Sequence, residues 1–173
     1  MEESLKQNRT DGGNCTDAGN GTGSGDSSGR DGGGSPLAAL ERIFQLKSSE
    51  PSLVSPLVLA YLGDAVFELA VRTILAEQST ASVSQLHRRA TQIVKAQNQS
   101  KMVAVLEPYF TEEEAKIYRR GRNAKSPTSA KNADIVDYRR ATGLETLMGY
   151  LYLDRQGERL LELVRIGLTA EEK

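Results

Sequence analysis

Cysteine is almost missing from this chain: among 173 residues there is only Cys15. A single cysteine builds neither a disulfide framework nor a thiolate metal cluster, which fits a reducing, cytoplasmic compartment. Histidine is as scarce. His87 stands alone beside Arg88 and Arg89, with no visible partner for a serine–histidine or cysteine–histidine arrangement. Nucleophilic catalysis therefore has little support, and His87 is expected to be a solvated surface residue. No hydrophobic run approaches the roughly 20 residues of a membrane span, and the amino terminus lacks the apolar stretch of a signal peptide. The glycosylation-like tripeptides Asn8-Arg9-Thr10, Asn14-Cys15-Thr16 and Asn20-Gly21-Thr22 are then chance matches in an Asn/Thr-rich stretch. No segment alternates convincingly at period two, so strands are not expected and the fold class is all-α.

A dominant charge is missing too, since the formal net charge is −1. The charge is unevenly spread, however. Residues 1–34 hold ten of the sixteen glycines and almost nothing apolar, with Lys6, Arg9 and Arg30 against Glu2, Glu3, Asp11, Asp17, Asp26 and Asp31. Such a segment cannot bury enough surface to offset its ordering entropy and is expected to be a disordered tail. Its acidity and glycine content differ from an Arg-rich, acid-poor transit peptide. The remaining domain, residues 35–170, is long enough for a core of its own.

Local signals divide that domain into helices. Ser35-Pro36 puts a capping residue before a proline at the first helical position. Leu37, Leu40, Ile43 and Phe44 follow at helical spacing, predicting a short helix through Leu46 packed on the core. Ser55-Pro56 repeats the device and opens a helix to about Glu77, apolar enough to be expected to pack on most sides. Ser82-Val83-Ser84-Gln85 reads as a capping box, starting a helix to about Ala96 with Leu86, Ala90, Ile93 and Val94 inward. Helix continues or restarts through residues 97–106, with Met102, Val103, Val105 and Leu106 inward, and ends near Pro108. Thr111-Glu112-Glu113-Glu114 is a second capping box with acids where the helix dipole favours them, and Gly121 is expected to end that helix. A sixth helix spans about Asp134–Asp154 on Leu144, Leu147, Met148, Leu151 and Tyr152. Its Gly143 and Gly149 lower helix propensity and suggest the close approach of another helix. The last helix, from about Gly157 to Leu168, covers the core.

Two acids lie in these apolar helices, Asp64 and Glu145. A carboxylate in such surroundings is costly unless something positive meets it, so each is either a paired structural acid or a metal ligand. Spacing alone leaves both readings open. Glu68, four residues after Asp64 and about 40° away on the helix wheel, is read as structural. Positive charge is concentrated elsewhere. Lys116, Arg119, Arg120, Arg122, Lys125, Lys131, Arg139 and Arg140 face only Asp134 and Asp137 between residues 116 and 140. Gly121 and Pro127 oppose regular structure, which predicts a cationic loop from Arg119 to Lys131. A near-neutral protein that gathers its cations in one loop presents them to an anion, and phosphate suits a loop without matching acids.

The run Leu62-Gly63-Asp64-Ala65-Val66 with Glu68 resembles the signature helix of the ribonuclease III catalytic domain. Arg122-Asn123-Ala124-Lys125, and then Ala141-Thr142-Gly143-Leu144-Glu145 continuing to Leu153, fall where that family has its linker and second signature helix. Together the three blocks cover about Ser35–Leu168 and look most like the short Mini-III branch. This resemblance implies a ribonuclease III-like helical bundle paired as a symmetric homodimer, so that two sites face opposite strands of a duplex. It implies that Asp64 and Glu145 are catalytic and hold Mg²⁺, as two of the family's four acidic positions. The other two positions depart from the pattern, with Ala60 and Thr142 where larger enzymes carry glutamate and aspartate. Fewer carboxylates predict one well-bound Mg²⁺ and a weak or RNA-dependent second one.

By the same resemblance the reaction is endonucleolytic cleavage of double-stranded RNA. The expected substrate is the stem flanking precursor 23S ribosomal RNA, possibly presented with a ribosomal protein. Duplex RNA is read through its backbone and 2′-hydroxyls. The chain is expected to have no room for a separate RNA-binding domain, so Arg119, Arg120, Arg122, Asn123, Lys125 and Lys131 would supply the grip. The compartment is expected to be the cytoplasm, although plastid relatives keep an organelle open. An alternative reading is a catalytically inactive ribonuclease III-like scaffold of the ribosome, for which loss of the acids is the distinguishing feature.

Overall fold

The computed structural model describes residues 36–47, 50–125 and 135–169, and these form seven α-helices with no strand among them. The expected tail, Lys131 and Asp134 lie outside the described residues. The helices are α1 (Pro36–Phe44), α2 (Pro56–Glu77), α3 (Val83–Ile93), α4 (Ala96–Leu106), α5 (Glu112–Arg122), α6 (Ile135–Leu153) and α7 (Gly157–Thr169). The all-α expectation holds.

Helix α6 is the centre. Leu144, Leu147, Met148 and Leu151 are buried, as are Ala141, Thr142, Gly143, Thr146, Gly149 and Tyr150 around its circumference. Helices α2, α4, α5 and α7 pack around it, contributing Leu59, Phe67, Val71, Met102, Val103, Leu106, Ile117, Leu160 and Leu163 to one core. Burying some 1.5–3 kcal/mol of transfer free energy per large side chain makes this cluster the main stabilising element.

Helix termini follow local chemistry where the chemistry is complete. The Thr111 hydroxyl accepts from Glu114 N at 3.2 Å while Glu114 Oε2 accepts from Thr111 N at 2.7 Å, a reciprocal capping box. At Ser82 the N–H donates to Gln85 Oε1 at 3.1 Å. Ser55 occupies the N-cap of α2 but makes no side-chain capping bond; Pro56 alone, in the first turn, marks that start. Lys95 adopts extended dihedrals, so the chain restarts as α4 rather than continuing α3.

Four expectations need correction. Helix α1 buries Leu37, but Leu40, Ile43 and Phe44 are exposed, because no described element covers its outer side. Only one face of α2 is buried (Leu59, Ala60, Gly63, Phe67, Val71), leaving Val58, Tyr61, Ala65 and Leu69 as an open apolar stripe. Val105 faces out, and Gln99 and Ser100 take inward positions on α4. Helix α5 runs through Gly121 to Arg122. Gly121 is there for contact, since a β-carbon would collide with the Thr146 side chain on α6.

Candidate active site

The site begins with a helix crossing. A β-carbon on Gly63 would overlap the Glu145 carbonyl, and one on Gly149 would overlap the Leu59 carbonyl, so α2 and α6 meet backbone to backbone. Thr146 tightens the crossing: its fully buried hydroxyl lies 2.7 Å from Thr142 O and 3.1 Å from Pro56 O at the start of α2. Asp64 follows Gly63 on one helix, and Glu145 precedes Thr146 on the other. Residues 81 positions apart are thereby brought within electrostatic reach of each other.

Their charges show it. Burial first, and then the charge of Asp64, pushes the Glu145 carboxyl up to about 7 from its ordinary 4.5. The Asp64 carboxyl is also raised, by partial burial and then by Glu68, although the residue as a whole is exposed. Among the described residues neither acid forms an ion pair. Glu68 instead pairs with Arg72 at 2.7 Å, as its structural reading requires. Two neighbouring carboxylates without a counter-charge suit a hard cation. No group of three or more acids, histidines or cysteines suited to a metal occurs among the described residues. Ala60 is buried, and the Thr142 hydroxyl donates to Tyr138 O at 3.0 Å within its own helix. Such a donor set fits a divalent ion that keeps several of its waters.

The cations sit differently from the sequence expectation. Arg119, Arg120 and Arg122 occupy the last turn of α5 rather than a loop, where the helix dipole favours them. Arg119, Asn123 and Lys125 are exposed. Arg122 is half-buried, its guanidinium 5.9 Å from the centre of the Tyr118 ring. Arg120 uses two nitrogens on main chain, donating to Ser52 O at 2.7 Å and Val54 O at 3.2 Å just before α2. This arginine ties the basic end of α5 to the start of the helix carrying Asp64. Gly121 lies against Thr142 and Thr146, which flank Glu145, so the same end of α5 borders the acids.

One site residue escaped the sequence reading. Gln99 is 1 % exposed and lies beside the Glu145 carboxyl, yet neither its Nε2 nor its Oε1 has a hydrogen-bond partner. The signal was its spacing: Gln99 precedes the buried Met102, Val103 and Leu106 by three, four and seven residues.

Comparison with known proteins identifies the family. Residues 57–156 match the model of the Ribonuclease III domain. The chain is 49% identical over 121 residues to a Mini-ribonuclease 3 of Clostridium tetani, covering 69% of this chain and 80% of that protein. It is 48% identical over 123 residues to one from Brevibacillus brevis, covering 71% and 92%. A crystal structure of a Fusobacterium nucleatum protein superposes with a TM-score of 0.65 at 29% identity, covering 71% of this chain and 99% of that one. Family chemistry of this kind depends on a divalent metal and acts on RNA. The chain therefore belongs to the ribonuclease III family, in the Mini-ribonuclease 3 branch, and is an endoribonuclease.

Proposed function

We propose that Asp64 and Glu145 hold Mg²⁺ and that the enzyme hydrolyses phosphodiesters of double-stranded RNA there. The observation carrying this reading is the pair of unpaired carboxylates at the α2–α6 crossing, one pushed up to about 7. When bound, Mg²⁺ supplies an activated water and offsets charge on the phosphate. The protein's own residues do the positioning. Asp64 and Glu145 ionise to hold the ion, and the glycine crossing sets the span between their helices. Arg119, Arg122, Asn123 and Lys125 offer donors to phosphate oxygens on the adjoining face, with Lys131 joining them by sequence. Arg120 serves this surface by anchoring it.

The second copy follows from the open stripe on α2. Val58, Tyr61 and Leu69 are 49%, 79% and 67% exposed, an apolar surface beside Asp64 that another copy of α2 would cover. Such a homodimer presents two sites to one duplex. The Mini-III branch points to the stem flanking precursor 23S ribosomal RNA, with or without a ribosomal protein, in the cytoplasm. Among the described residues no helix is long and apolar enough to cross a membrane. The scaffold alternative requires loss of the acids, and both are present.

The test incubates purified protein and Mg²⁺ with a duplex built from that stem. Asp64→Asn and Glu145→Gln should each lose at least about 10³-fold in cleavage rate, equivalent to several kcal/mol, while remaining folded. Equal cutting by both variants and the native enzyme would remove the assignment. Tyr61→Glu with Leu69→Glu should give monomers in sedimentation; unchanged dimers would place the interface elsewhere.

A further inference from the structure

We propose that Gln99 is a positioning residue of this site: its amide reaches from the core to hold the ionised Glu145 carboxylate in the orientation that receives the cation. This rests on the metal reading of Asp64 and Glu145.

An amide with no partner for either polar atom is an expensive occupant of a core, and an apolar residue of similar shape would avoid that penalty. Gln99 nevertheless sits on the inner stripe of α4, a helix packed directly on α6. Its neighbours on that stripe, Met102, Val103 and Leu106, are all apolar and buried. The polar group it lies beside is the Glu145 carboxyl.

The choice of amide over a cation has a chemical reason. An ionised carboxylate offers about four lone-pair sites on its two oxygens, more than one metal ion uses. A lysine or arginine at position 99 would neutralise Glu145 and compete with the divalent ion. The Gln99 NH₂ group can donate to the lone pairs turned away from the metal while leaving the negative charge in place. Partners behind metal ligands commonly change metal affinity about 10–100-fold when removed.

The experiment titrates Mn²⁺, used as a paramagnetic probe, into RNA-free protein and follows water-proton relaxation, with thermal melting alongside. The proteins are the native chain, Gln99→Met, Gln99→Asn and Glu145→Gln. The methionine removes the amide at nearly constant volume; the asparagine keeps it but withdraws it by one methylene. Either variant, provided it folds, should bind Mn²⁺ about 10–100-fold more weakly. The methionine variant should melt no lower than the native chain, and excess metal should restore its cleavage. A merely structural glutamine would lower the melting temperature and leave Mn²⁺ affinity unchanged, which overturns the proposal. The two readings separate cleanly. If Glu145→Gln loses Mn²⁺ while the Gln99 variants bind like the native chain, only the role of Gln99 fails. If the native chain binds no Mn²⁺, the metal reading fails and takes this one with it.

Discussion

Two glutamates, Glu114 and Glu145, show how one fold gives the same carboxylate opposite surroundings. Glu114 is 4% exposed and meets Arg159, whose Nε and Nη2 donate to its oxygens at 2.8 and 3.0 Å. Burial alone would raise its pKa, but the Arg159 bonds and the capping amide of Thr111 outweigh burial and hold it below the ordinary value. Arg159 also donates to Tyr109 O at 2.6 Å, closing the corner between α5 and α7. Glu145 is partly buried and has no such arginine, and burial, then the charge of Asp64, raises its pKa to about 7. Partner and burial act together: the acid given a resident cation is held below its ordinary pKa, and the one left without carries the full effect of burial.

The contrast can be broken most forcefully at Arg159. Arg159→Leu turns the Glu114 corner into a second unpaired acid. The expected loss is about 3 kcal/mol, read by urea unfolding at pH 7, with cleavage by the folded fraction retained. A loss below about 0.5 kcal/mol would mean the pair is only a surface contact.

The pH dependence sharpens it next. Without metal, the folded state favours protonated Glu145, so that contribution is complete below 4.5 and is lost as pH rises through about 7. At most about 3 kcal/mol is involved. Glu114 has the opposite slope: its contribution is present above 4.5 and lost as pH falls through its lowered pKa. Glu145→Gln should therefore flatten the neutral side of the metal-free stability profile, and Glu114→Gln the acid side. Profiles that respond the other way round would reverse the assignment.

A smaller effect is expected at Gly121, where a β-carbon meets Thr146. Gly121→Ala should cost about 1–3 kcal/mol through overpacking, despite the better helix propensity of alanine. A stabilised variant would show that this crossing can relax. The smallest effect separates neighbouring arginines. Arg119→Ala should reduce the log–log salt slope of duplex-RNA binding by about 1. Arg120→Ala should leave that slope unchanged, because its donors are already on Ser52 and Val54.

What could be read from the sequence was the part that local chemistry determines. Thr111 and Glu114 satisfy each other within one turn, and Pro56 needs no distant partner to mark a helix start. The acids were visible because carboxylates are rare in apolar helices, but their meeting came from family likeness, since spacing does not reveal a crossing. Gly121 was misjudged because a glycine that stops a helix and one that admits a neighbouring helix look alike until Thr146 is opposite. Ile43 and Phe44 have core-like periodicity but no described element over them. Gln99 was missed because polarity argues for solvent, and only the geometry of α4 on α6 puts it inside.

At Gly63 and Gly149 the spacing of the acids is fixed by main chain touching main chain. Rotamer changes at Asp64 or Glu145 move their oxygens within a fixed frame, whereas the frame alters only if an entire helix slides. Side-chain substitutions at neighbouring positions such as Ala60 and Thr142 then leave the spacing of the two helix backbones in place.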